Sequence, residues 1–175
     1  MNHSANSQPP VTPARAARAL ILAVAAETAI VVAHFAHGAR VYDDPYRLHV
    51  VEPALVAFVV TLALTALSVW RPYKVTIVAL ATLVSVLFVG MFGLFHGGYS
   101  HVLKDVFFVA GASTDTLETY FMNPDYAYPD NVVFEAGGIL TLVAAAFVAN
   151  RLTRFVRTAW AAPLPHRSRV AGGRT

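Results

Sequence analysis

The chain of 175 residues contains no cysteine, which excludes disulfide frameworks, cysteine zinc sites, iron–sulfur clusters and thiol catalysis. Charge is scarce as well. Asp, Glu, Lys and Arg make up 13% of the residues, against about 25% in a soluble domain whose surface must face water. There is no phosphate loop, no GxGxxG fingerprint and no Ser/His/Asp arrangement in a recognisable context. No internal repeat is visible and the halves are not inverted copies of one another, which sets the chain apart from the usual secondary transporter.

What the chain has in quantity is apolar surface. Hydrophobic residues make up 57% of it and its mean hydropathy is +0.55. Most of this lies in four runs, at about 16–36, 49–70, 75–95 and 133–152, each near the ~20 residues that cross a bilayer as a helix. The pattern predicts an all-α integral membrane protein, with four transmembrane helices in an antiparallel bundle whose environment is the lipid bilayer. Residues 1–13 read as a disordered tail, 14–157 as the membrane domain and 158–175 as a basic tail. The four-residue link Arg71-Pro-Tyr-Lys74 joins the second and third runs as a tight hairpin.

Lys and Arg set the orientation, because they stay on the cytoplasmic side. Arg15, Arg18, Arg71, Lys74 and the six arginines from Arg151 onward fall on one side, against Arg40, Arg47 and Lys104 on the other. Both termini are therefore expected in the cytoplasm, as in a bacterial inner membrane. A cleaved signal peptide is the competing account of the first run, but Ala33-His-Phe-Ala36 lacks small residues at the required positions and the run contains Glu27. The pI near 9.4 reports this topology, not nucleic acid. All ten acidic residues lie in outer loops or within the runs, and five of the seven histidines lie at or near the outer ends. Chemistry, where there is any, belongs at the outer face.

The outer loop from His96 to about Asn131 is long enough to suggest a role of its own. Ser100 suits a helix N-cap and Gly111 a helix end, so a short interfacial helix is expected at about 101–110, after a turn at Gly97-Gly98. That turn would aim His96 and His101 at a common centre, with Asp105 on the face of His101 as co-ligand or orienting carboxylate. Tyr120, Phe121, Tyr126 and Tyr128 fit an aromatic belt at the interface, or a lid over the helix ends. Small residues at Gly90, Gly93 and Ala136-Gly137-Gly138 favour close helix contacts.

Glu27 is the costliest polar residue, because an acidic side chain at mid-membrane costs about 2.5–3.5 kcal/mol. His34 lies two turns further along the same face, and the pair reads as a proton or ion track. His49 and Glu52 share one helix face at i, i+3, a spacing by which bundles present metal ligands. A carboxylate at a helix start, as at Glu52 and Glu135, also has a simple dipole explanation. Taken together, His49, Glu52, His96, His101 and Glu135 are the expected ligands of a transition metal (iron, copper or zinc) for metal handling or redox chemistry. A less favoured version places haem b between His34 and His96. The reading from a different class is a non-catalytic subunit docked in a larger membrane complex or on a second copy.

Overall fold

A computed structural model describes residues 12–121 and 131–161. The tails expected at 1–13 and 158–175 lie largely outside these residues, as do Tyr126 and Tyr128. Helix α1 spans Pro13–Val41; Thr12 caps it by accepting the Arg15 amide at 3.3 Å, and proline occupies its first turn, where no amide donor is needed. Asp43 takes a positive φ of 49° at the turn that follows. A 3₁₀ turn, Pro45–Val50, is capped by Asp44 and leads into α2, Val51–Trp70. Helix α3, Lys74–Val84, continues without a break into a π-helical segment, Ser85–Leu103, and then into α4, Lys104–Val109. Gly111, at φ 81°, ends this rod in a left-handed conformation that only glycine adopts freely. Helix α5, Thr114–Phe121, buries Leu117, and α6 spans Val132–Trp160 behind an Asn131 cap on the Phe134 amide at 2.9 Å.

Four of the helical stretches are long and apolar enough to cross a membrane: Pro13–Val41, Pro45–Trp70, Lys74–Val109 and Val132–Trp160. The described residues hold no strand. Only 22–39% of each apolar window is buried inside the protein. The remainder, including Leu55, Val59, Met91, Leu94 and Phe147, is exposed. Apolar surface on that scale is not found on a soluble monomer, but it is what acyl chains cover. Inside, Leu20, Val24, Ile77, Leu80, Val84, Phe88, Val148 and Phe155 form the common core.

The third crossing departs from the sequence expectation. Gly97 and Gly98 do not turn the chain, and Ser100 does not cap a new helix; its hydroxyl donates to the Phe95 carbonyl at 3.3 Å within a continuous rod. The glycines serve packing instead. A side chain at Gly97 would meet Thr141 Oγ1 at 2.6 Å and the Gly138 carbonyl at 2.8 Å, and one at Gly93 would overlap Ala145. The π segment thus lies directly against α6, which packs mainly on it and on α1. At the end of the rod, Tyr99 donates its hydroxyl to the Tyr120 carbonyl, and Phe107 packs near Tyr120 and Phe121. That contact folds α5 back onto the helix end.

Candidate metal centre

His101 lies five positions after His96. In an α-helix they would be rotated about 140° apart, too far to share a face. In a π-helix, whose hydrogen bonds run from i to i+5, they stack one turn apart on the same side. The winding of Ser85–Leu103 therefore brings the two imidazoles together, which the glycine turn was expected to do. His34, near the end of α1, completes the group.

The three rings form a nearly equilateral triangle, with centroids 4.8 Å apart for His34–His96, 5.0 Å for His34–His101 and 4.8 Å for His96–His101. One nitrogen from each lies within 4.8 Å of the others. A triangle of that size has its centre within about 2.8 Å of each corner, and small ring movements close it to the ~2.0–2.1 Å of a zinc–imidazole bond. His34 and His101 are 4% and 1% exposed. Both nitrogens of His34, Nε2 of His96 and Nε2 of His101 are buried without a hydrogen-bond partner. Buried polar atoms are nearly always partnered, so three imidazoles with orphaned nitrogens, each offering one nitrogen within 4.8 Å of the others, mark a place for a ligand. His34, His96 and His101 could hold a metal ion.

The remaining nitrogen of His101 is fixed. Its Nδ1 lies 2.6 Å from Glu135 Oε2, while Lys104 Nζ donates to Glu135 Oε1 at 2.5 Å. A carboxylate only accepts, so Nδ1 carries the proton and Nε2 presents its lone pair to the cluster. This is the carboxylate–histidine arrangement that orients metal ligands elsewhere. Lys104 is fully buried, and the Asp105 carboxylate lies 3.6 Å from its ammonium. Phe134 stacks on His34 at 4.3 Å and Phe35 on His96 at 4.7 Å, giving the cluster apolar walls. Arg47, only 2% exposed, sits 4.4 Å over the Tyr42 ring and 5.3 Å from Phe134, with Asp44 3.2 Å from its Nε.

The residues singled out in the sequence are thus distributed unevenly. His96 and His101 meet, and His34 joins them. Glu135 reaches the site through His101, and Asp105 through Lys104. His49 and Glu52 are exposed at the start of α2, apart from the cluster, with His49 Nδ1 bonded to the Tyr46 carbonyl. Glu27 is fully buried seven residues before His34. In the sequence Lys104 reads only as a charge on the outer side; it is fully buried, and its position three residues after His101 was the available signal. The pair Gly137-Gly138 also belongs here. A methyl at Gly137 would come within 2.8 Å of His34 Nδ1, and one at Gly138 would overlap the His101 ring.

Gly138→Ala is accordingly expected to cost about 1–3 kcal/mol, the usual range for overpacking, read as a lower thermal unfolding midpoint in detergent. At Gly98 an added methyl would meet nothing closer than 3.7 Å, so Gly98→Ala should leave the midpoint unchanged or raise it. No family model, curated protein or solved structure matches the chain, so function must be argued from the geometry of this cluster.

Proposed function

We propose that this is an integral membrane protein that binds one transition-metal ion through His34, His96 and His101, leaving a coordination position open for metal handling or redox chemistry. The convergence of buried, partnerless imidazole nitrogens carries the reading. Three imidazoles without sulfur suit zinc or copper, and also nickel or iron. The position of Glu135, occupied by His101 and Lys104, argues against the two-histidine, one-carboxylate pattern of non-haem iron. Haem fits less well, because ring centroids 4.8 Å apart in a T-shaped arrangement leave no space for a porphyrin plane between His34 and His96. With three neutral ligands and an open fourth position, zinc or copper would act as a Lewis acid or exchange its cargo.

The distribution of Lys and Arg supports an antiparallel bundle with both ends of the chain on the cytoplasmic side and the cluster near the outer face. This topology suits an inner membrane of a bacterium. The test is elemental analysis of detergent-purified protein after incubation with zinc or copper and removal of the excess. One metal per chain is expected in the wild type, and none in a His96→Ala, His101→Ala double variant that remains monodisperse. A wild type that retains no metal would overturn the reading and leave docking in a larger complex as the account of the histidines.

A further inference from the structure

Helix α2 buries no large side chain. Its inward stripe reads Ala54, Ala57, Thr61, Thr65, Ser68, with the hydroxyl residues at i, i+4 and i+7 and so on one face. Thr61 and Thr65 are fully buried and Ser68 is 2% exposed. None of the three hydroxyls has a hydrogen-bond partner, and neither carboxylate oxygen of fully buried Glu27 has one. Thr28 shows the contrast: also buried on α1, it satisfies itself on the Val24 carbonyl at 2.8 Å. Five buried, partnerless oxygens are therefore carried by α1 and α2, two helices that pack on each other.

Counting from the turn that joins α1 to α2, at about 1.5 Å per residue, gives the depths. His34 lies about 10 Å in, Thr61 about 15 Å, Glu27 and Thr65 about 21 Å, and Ser68 about 25 Å. Glu27 and Thr65 share one level and the other levels follow at about 4–6 Å along the helix axes, a spacing on the scale that bridging waters span between polar groups. Such a spread cannot close on a single hard cation, which needs six or more oxygens at about 2.0–2.6 Å. It forms a line, not a cage.

We propose that Glu27, Thr61, Thr65 and Ser68 form a proton path running from the level of the histidines toward the end of α2. Glu27 is the group on it that accepts and releases the proton. It takes one at a carboxylate oxygen from a water on the His34 side and returns one to a water beside Thr65, so a single proton moves and no bond other than O–H changes. The other buried titratable or charged groups among the described residues all belong to the histidine end. His34 lies on α1, His96 and His101 on the π segment, Lys104 on α4, Glu135 on α6, and Arg47 on the 3₁₀ turn. Helix α2 buries none, its Glu52 being exposed, as is Lys74 at the start of α3. Ionisable groups within membrane helices characteristically mark such relays. The proposal stands whether or not the histidines bind a metal.

The full chain, reconstituted in liposomes containing a pH-sensitive dye, tests it. A potassium gradient with valinomycin sets an inside-negative potential, and the dye reports proton entry. The wild type is expected to acidify the lumen faster than protein-free liposomes do. Glu27→Gln should fall to the protein-free rate, and Thr65→Val, which replaces a hydroxyl by a methyl of equal size, should slow entry. Thr153→Val, at an exposed position on α6, should match the wild type, and Glu27→Gln should keep its histidine-bound metal. Entry no faster than in protein-free liposomes, entry unchanged in Glu27→Gln, or a current carried by sodium instead of protons would overturn the proposal.

Discussion

Replacing His34 alone by alanine is expected to weaken metal binding by more than about a hundredfold, since altering a supporting residue already costs 10–100-fold and His34 would supply a ligand atom directly. The effect should appear in a zinc or copper titration followed by calorimetry. It should also appear as lost stabilisation: a ligand at about a hundred times its dissociation constant adds about 2.7 kcal/mol to a folded protein. Wild-type protein should therefore unfold at a higher temperature with metal than after chelation, and His34→Ala at the same temperature in both. The paired control is His49→Ala with Glu52→Ala. Both residues are exposed and outside the triangle, so that variant should bind as the wild type does. Acid should release the metal, because protons compete with it for imidazole nitrogen. Wild-type affinity in His34→Ala would move the ligand set away from α1.

The crossings were legible in the sequence because a bilayer imposes a length and a composition, and both can be read without knowing the packing. Ligand identity was only partly legible, for two physical reasons. Depth along a helix follows from counting residues, which is why His34, His49 and His96 could all be assigned to one end. Azimuth does not follow from counting unless the winding is known. The segment Ser85–Leu103 winds as a π-helix, so the spacing of five, which the sequence reading bridged by a glycine turn, is the spacing of stacked neighbours. The glycines at 97 and 98 read as a turn for the same reason, since a glycine pair in sequence does not say whether the chain bends or another helix approaches. The approach of α6, with Gly137 and Gly138 making room for His34 and His101, is a tertiary contact with no local signature. His49, on the 3₁₀ turn ahead of α2, and Glu52, in the first turn of α2, are both exposed and stand outside the cluster.

The largest effect on stability is expected at Glu135, and its analysis separates a structural role from a chemical one. Glu135→Gln keeps the shape but takes from the fully buried Lys104 ammonium its nearer counter-charge, leaving only the partly exposed Asp105 carboxylate at 3.6 Å. Breaking a buried pair by removing one partner typically costs about 3–5 kcal/mol; with Asp105 still beside the ammonium the low end is expected, enough to depress the unfolding midpoint in detergent by several degrees. Lys104→Met in the same chain removes the stranded charge, and the double variant should recover most of the lost stability, since replacing a buried ion pair by groups of similar size is often neutral. Metal affinity should not recover with it. The glutamine oxygen can still accept from His101 Nδ1 and hold the ring in place, but it no longer brings a negative charge to the far side of the imidazole. A loss of about 10–100-fold in affinity is expected to persist. A double variant that regains both stability and affinity would reduce Glu135 to a counter-ion for Lys104. A single Glu135→Gln variant as stable as the wild type would show that the ion pair does not hold α6 to the third crossing. Stability restored with affinity still low is the outcome that separates the two roles, because only a carboxylate acting through His101 on a bound ion produces it.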